Sequence, residues 1–334
     1  MGRITHRCAV LGKPIAHSLS PVLHMAAYRA LGLEDWHYDR HEVGEADLDA
    51  FLAGLDPTWR GLSLTMPLKR TIQPYGTPSN LWARELRVAN TAVLDWPQPE
   101  AAPENEPIAP ASGVRPTIRL YNTDVIGIQL AFDHAERANG LHVEGDRSGC
   151  ALVIGNGNTA ASAVAACTMM PHIGHIIVAA RHPQGNPELK PLAERFLKRS
   201  DALDVIDLND PHALLRAFGE ACVIISTIPG HAADPVAQLL GESVLHIAED
   251  GRAALLDVVY DPRPSALMRA WRAKGGIAIG GEEMLLYQAL IQVLLMTGIW
   301  DGDPPSDADS RLQNTTVDDD HVEIAMRHAL EEAL

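Results

Sequence analysis

Five short apolar segments, separated by helical patterns, recur between residues 150 and 259, and no other feature restricts the possible folds as strongly. They are CALVI (150–154), HIIVAA (175–180), LDVID (203–207), CVIIS (222–226) and ALLDVV (254–259). In most of them the apolar run is continuous rather than alternating, and β-branched residues are frequent. Strands of that kind have both faces buried, and strands each followed by a helix build a parallel sheet covered on both sides. The regular alternation begins near residue 125. With 334 residues the chain exceeds one ordinary hydrophobic core, so a second domain is expected in the remainder.

The N-terminal portion is organised differently. CAVLG (8–12) reads as a short buried strand, and SLSPVLHMAAYRALGL (18–33) reads as a helix. Ser20 suits its N-cap, Pro21 its first position and Gly32 its C-terminal stop. LSLTM (62–66) predicts a second strand ending at Pro67, and Val88 to Leu94 a third. The stretch from Pro97 to Pro116 is rich in Pro, Ala and Glu and is expected to be an exposed, mobile loop, because it buries too little surface to offset its ordering entropy. At the other end, a helix is expected from about Glu282 to Thr297, followed by the acidic linker DGDPPSDADS (301–310) and a last amphipathic helix. In that helix Val322, Ala325, Met326, Ala329, Leu330 and Ala333 form one apolar stripe that must pack on something. No internal repeat of fixed period is present.

Composition excludes several classes of function. The net charge is −16, from 43 acidic and 27 basic residues, which disfavours phosphate backbones and anionic membranes, so neither a nucleic-acid nor a membrane partner is expected. No run approaches the roughly 20 apolar residues that span a bilayer, and the N-terminus MGRITHRCAVLGK has no long apolar segment followed by a cleavage site. A soluble, cytoplasmic protein is expected. Cys8, Cys150, Cys167 and Cys222 stand singly among apolar neighbours and read as small core residues, and the fifteen histidines show no metal spacing.

The strand CALVI runs directly into Gly155-Asn156-Gly157-Asn158-Thr159-Ala160 and then into the apolar helix AASAVAACTMM. In a dinucleotide fingerprint the first glycine allows the tight turn, the second lets pyrophosphate approach the backbone, and a small last residue lets helix and strand pack closely. The free amides and dipole at the helix start favour phosphate. After the next strand the chain reads Ala180-Arg181-His182-Pro183, without the acid that holds the ribose of NAD. A guanidinium there suits a 2′-phosphate, so NADP is favoured with NAD as the alternative, unless Arg181 is an ordinary exposed arginine.

Outside that region, several polar clusters sit at strand ends and helix starts where a core would not want them. Ser18 and Ser20 precede a helix whose amides could seat a carboxylate, although simple capping explains the same hydroxyls. Lys69 follows a strand, and Asp124 ends the polar run Tyr121-Asn122-Thr123-Asp124. Alone, each would be a surface charge; together at a cleft they can hold and pass a proton. Asn90 and Gln288 lie in apolar stretches and need partners, which either a substrate or a core network would supply.

Taken in order, GKPIAHSLSPVLH (12–24), GLSLTMPLK (61–69), VANTAV (88–93), YNTD (121–124), IGNGNTAASA (154–163), STIPG (226–230), LLDVVYDPRP (255–264) and GEEMLLYQA (281–289) resemble the shikimate dehydrogenase family from Cys8 to about Gly298. The resemblance implies an α/β protein with a Rossmann-like NADP-binding domain and a second α/β substrate domain completed by C-terminal helices. Its expected boundaries are 1–123 for the substrate domain, 124–281 for the dinucleotide domain and 282–334 for helices packing back on the substrate domain. It implies reversible reduction of 3-dehydroshikimate to shikimate by NADPH, within aromatic amino acid biosynthesis, by a monomer or homodimer.

By the same resemblance, Lys69 and Asp124 stand at the reacting oxygen and Ser18 and Ser20 hold the substrate carboxylate. Thr65, Asn90 and Gln288 read ring hydroxyls. Tyr260 and Gly281 lie where nicotinamide meets substrate, and Thr227, in STIPG, joins Gly155 to Ala160 and Arg181 at the cofactor. Two departures stand out. Ser63 occupies a position where the family pattern has Asn, and Ala180-Arg181-His182 replaces Asn-Arg-Thr, so that only the arginine is kept. A quinate/shikimate dehydrogenase is the alternative within the enzymes. A nucleotide-sensing binding protein without turnover is the alternative outside them, and the presence of both Lys69 and Asp124 argues against it.

Overall fold

The computed structural model describes residues 3–97, 114–140, 145–245, 253–300 and 319–334. Residues 98–113 of the Pro-rich stretch and the acidic linker 301–310 lie outside the described residues. The chain divides into two compact units. One comprises 1–123, 289–304 and 314–334, and the other 124–288 and 305–313.

The first unit contains β1 (His6–Gly12), α1 (Ser20–Ala30), β2 (Trp36–Glu42), α2 (Leu48–Ala53), β3 (Trp59–Leu64), α3 (Leu68–Thr71), β4 (Thr77–Pro78), α4 (Leu81–Leu86), β5 (Thr91–Asp95) and β6 (Thr117–Tyr121). Its six strands run in the order β2-β1-β3-β5-β6-β4. The sheet is mixed because β5 is antiparallel to both β3 and β6, while β1 pairs in parallel with β2 and β3. The core on one side joins Leu11, Leu62, Leu64, Leu68, Ile72, Ala92 and Leu120, all nearly inaccessible.

Sequence patterning found β1 and β3 to within two residues but missed β2 and β6. In β2 only Trp36 and Tyr38 are buried, and the segment WHYDRHE is polar because it forms an edge of the sheet. β5 begins three residues later than expected, because Val88, Ala89 and Asn90 precede the strand and carry the turn into it.

The second unit contains α5 (Asp124–Ala138), β7 (Gly149–Ile154), α6 (Asn158–Met169), β8 (Ile173–Ala180), α7 (Leu189–Leu197), β9 (Leu203–Asp207), α8 (Pro211–Glu220), β10 (Ala221–Ser226), α9 (Asp234–Glu242), β11 (Ala254–Asp257), α10 (Ala266–Ala273) and β12 (Ile277–Gly280). Its strands run β12-β11-β10-β7-β8-β9, and every pair is parallel. The order reverses between β7 and β10, and such a switch point opens a crevice at the carboxyl ends of the strands. Local signals set the helix starts. Asp210 accepts hydrogen bonds from the amides of His212 and Ala213 at 3.0 Å, and Ser265 from that of Met268 at 3.1 Å.

A long helix, α11 (Gly281–Met296), spends its first half in the second unit and its second half in the first. The expected boundary at 282 is therefore shifted, because Gln288 still packs against Gly127 of α5. The last helix, α12 (Asp319–Ala333), packs on α1. Val322, Met326 and Leu330 of its apolar stripe are buried, Ala325 and Ala329 half-buried, and Ala333 exposed.

Candidate active site

In the first unit the polar residues singled out by sequence lie on one buried network. Ser20 is the first residue of α1, not its cap; Leu19 occupies the cap position, and no side chain caps the helix. The capping expectation for Ser20 is thus corrected. Because Pro21 comes early in the first turn, the helix starts one residue sooner, and it is Ser18 whose Oγ accepts from the Ser20 amide at 3.3 Å. Ser18 Oγ lies 3.3 Å from Ser20 Oγ, and Ser20 in turn bonds the Tyr38 hydroxyl. Tyr38 donates to Ser63 Oγ at 2.6 Å, and Ser63 donates to Gln292 Oε1 at 2.7 Å. Gln292 Nε2 donates to the Asn90 carbonyl and to Thr91 Oγ1, both at 3.0 Å. Asn90 Oδ1 accepts from the Thr123 amide at 2.8 Å, and Asn90 Nδ2 donates to Thr123 Oγ1 at 2.9 Å.

The core alternative for Asn90 is therefore realised in part, since its amide is held by Thr123. Sequence reading missed Tyr38, Gln292 and His24 and named Ser63 only as a departure. One signal was available: Gln292 stands four residues beyond Gln288 on an otherwise apolar helix, and so shares its face.

Thr65 follows β3, its amide donating to Leu11 O at 2.9 Å and its carbonyl accepting from Leu68 N at 2.7 Å. This turn fixes the start of α3, where half-buried Lys69 sits; the Lys69 carbonyl accepts from the Ala89 amide at 2.9 Å and ties Lys69 to the Asn90 segment. Asp124 is buried as the first residue of α5. Lys69 belongs to the first unit, whereas Asp124, Gln288 and Tyr260 belong to the second. Tyr260 is half-buried, and burial raises its phenol above the usual range.

The cofactor candidates gather at the end of β7. Gly155 has φ +117°, a backbone that side chains rarely adopt, and a Cβ there would overlap Thr227 Oγ1. Thr227 is fixed by its amide and its hydroxyl, both donating to Ile154 O at 2.9 Å. Gly157 caps α6 and is exposed, with nothing within 4 Å of the Cβ position. Asn158, Thr159 and Ala160 form the first turn of α6, so the amides there are available to a phosphate. Asn156 Nδ2 donates to His182 O at 2.9 Å, and Asn186 Nδ2 to Asn156 O at 3.2 Å. These bonds tie the fingerprint loop to the segment after β8 that carries exposed Arg181. The open space at Gly157 and the strained turn at Gly155 fit a dinucleotide pyrophosphate. Gly281, at the far end of the same sheet, is buried where α11 begins. Among the described residues no cluster of His, Cys, Asp and Glu is arranged to hold a metal, and no helix is long and apolar enough to cross a membrane.

Residues 10–92 match the family described as shikimate dehydrogenase substrate binding domain. A shikimate dehydrogenase (NADP(+)) of Natronomonas pharaonis is 31% identical over 300 residues, which span 86% of this chain and 92% of that protein. The crystal structure of Mycobacterium tuberculosis shikimate dehydrogenase is 32% identical and superposes with a TM-score of 0.71, covering 98% of this chain and 99% of that one. The Thermus thermophilus shikimate 5-dehydrogenase, solved in complex with NADP(H) and shikimate, is 26% identical with a TM-score of 0.64, covering 97% and 99%.

Proposed function

Given that the chain belongs to the shikimate dehydrogenase family, we propose that it catalyses the reversible, NADPH-dependent reduction of 3-dehydroshikimate to shikimate. The observation that carries this reading is the presence in one chain of a glycine cradle at Gly155 and Gly157 and of a serine-headed polar network beside Lys69 and Asn90. The relatives named above carry the same activity in their names, and one was solved with NADP(H) and shikimate.

In this reading residues 1–123 form the substrate domain and the parallel-sheet unit holds the dinucleotide. Gly155, Asn156, Gly157, Asn158, Thr159 and Ala160 hold the pyrophosphate, Arg181 pairs with the 2′-phosphate, and Thr227 and Gly281 line the remaining path of the cofactor. A bound nicotinamide dinucleotide supplies or accepts the hydride. Lys69 donates a hydrogen bond to the ring oxygen and stabilises the negative charge that develops on it, while Asp124 accepts or returns the hydroxyl proton. The serine hydroxyls receive the carboxylate, and Thr65, Asn90, Gln288 and Tyr260 orient the ring.

The reading is tested by following absorbance at 340 nm with shikimate or quinate and with NADP or NAD. The expected result is turnover of shikimate with a higher kcat/KM for NADP. A higher kcat/KM for quinate, or for NAD, overturns that part of the assignment, and absence of turnover with every pair overturns the whole.

A further inference from the structure

The buried chain of hydroxyls in the first unit has a direction, and the direction is forced. The Asn90 carbonyl can only accept, so the group of Gln292 that faces it at 3.0 Å must be the amide nitrogen. Gln292 Oε1 therefore faces Ser63 Oγ at 2.7 Å and can only accept, which commits the single Ser63 proton. Ser63 must then accept from Tyr38, at 2.6 Å, and the Tyr38 oxygen is left to accept from Ser20. Ser20, Tyr38, Ser63 and Gln292 are all buried, so water is not at hand to offer another arrangement. The Ser20 proton is thus spent inward, and its oxygen offers the outside only lone pairs. Ser18 is half-buried and its one hydroxyl contact, to Ser20 Oγ, is long at 3.3 Å. Its proton is the one free to turn to a new acceptor.

We propose that Tyr38 and Ser63 are positioning residues for carboxylate recognition: through the one-way chain anchored on Gln292 they draw the Ser20 proton inward, so that Ser18 is the hydroxyl that donates to the bound carboxylate. This rests on the functional reading above in taking the anion to be the carboxylate of shikimate. An anion can still draw the Ser20 proton outward, at the cost of one bond to Tyr38, so the two serines contribute unequally without either being silent.

The test is a set of double-mutant cycles on KM for shikimate at saturating cofactor. Ser18→Ala should raise KM about tenfold and Ser20→Ala no more than about threefold. Tyr38→Phe removes the acceptor for the Ser20 proton, and Ser63→Ala makes Tyr38 turn its own proton to Ser20. In either background Ser20 is freed to donate, and Ser18→Ala should then raise KM only about threefold. Ser63→Thr keeps the hydroxyl and should retain the tenfold dependence on Ser18. A purely structural role for Tyr38 and Ser63 lowers the melting temperature without this coupling. Equal effects of Ser18→Ala and Ser20→Ala, unchanged in both backgrounds, overturn the proposal. If Tyr38→Phe does not fold, Ser63→Ala and Ser63→Thr decide the matter.

The chain is also read without substrate, in protein labelled with carbon-13 at the tyrosine Cζ. Ser20→Ala and Ser63→Ala should each move the Tyr38 signal, and a signal indifferent to both overturns the chain. If the signal moves but wild type neither binds nor turns over shikimate, the functional reading falls and takes the role of Ser18 with it.

Discussion

His24 Nε2 lies 3.3 Å from Gln292 Oε1, across 268 positions of sequence, and the imidazole is wholly buried against the ring of Tyr38. Since Gln292 Oε1 can only accept, His24 carries its proton on Nε2. Its other nitrogen, Nδ1, is buried without a hydrogen-bond partner. A bare acceptor is tolerable there, whereas a second proton would be a buried charge, and burial accordingly lowers the His24 pKa from 6.5 to about 3.

That depression makes folding pH-dependent. The unfolded chain takes up a proton at His24 near pH 6.5, while the folded chain resists until about 3. The stability this provides is complete above 6.5 and is lost as pH falls toward 3. The expected slope from this one group is about 1.4 kcal/mol per pH unit within that window. Urea unfolding of wild type and His24→Phe between those limits measures it. The variant should show a shallower acid decline, and equal declines would show that His24 is not the group responsible.

Gly155 and Gly157 should fail in different ways. Gly155→Ala places a Cβ at positive φ against Thr227 Oγ1, so it should lower stability by about 1 to 3 kcal/mol and weaken cofactor binding with it. Gly157→Ala meets no protein atom and should melt within a degree or two of wild type, yet bind NADPH at least about tenfold more weakly because the methyl occupies the approach of the pyrophosphate. Melting curves and NADPH fluorescence titrations separate the two. Normal NADPH binding by Gly157→Ala would remove the cradle from the cofactor site.

Lys69→Ala should lower kcat by about a hundredfold or more with a smaller change in KM, because the ammonium acts on charge that appears at the oxygen during the reaction. Steady-state kinetics with shikimate decide it, and near-normal kcat would exclude Lys69 from the chemistry.

Arg181→Ala should reduce the ratio of kcat/KM for NADP to that for NAD by about one to two decades, leaving NAD kinetics nearly unchanged, since a charge-assisted contact of this kind contributes about 1.5 to 3 kcal/mol. The loop bonds from Asn156 to His182 and from Asn186 to Asn156 hold the arginine's segment beside the fingerprint, so the effect should not spread to the fold. A wild-type ratio below one, or a ratio indifferent to the mutation, rejects Arg181 as the selector.

What was legible in the sequence was local. LDVID at 203–207 coincides with β9, and Gly155, Gly157 and Ala160 occupy the turn and first helical turn that their spacing predicts, because each depends on its immediate neighbours and on burial on both faces. The stripe of α12 could be read from periodicity, although nothing in it named α1 as the surface it covers. Tertiary structure alone decided that Ser20 belongs inside α1 and points its proton at Tyr38, and that Ser63 answers to Gln292. It also decided that β2 and β6, polar or next to proline, complete a mixed sheet. Buried polar groups must find partners wherever the fold supplies them, and here those partners lie up to 268 positions away, beyond the reach of any local pattern.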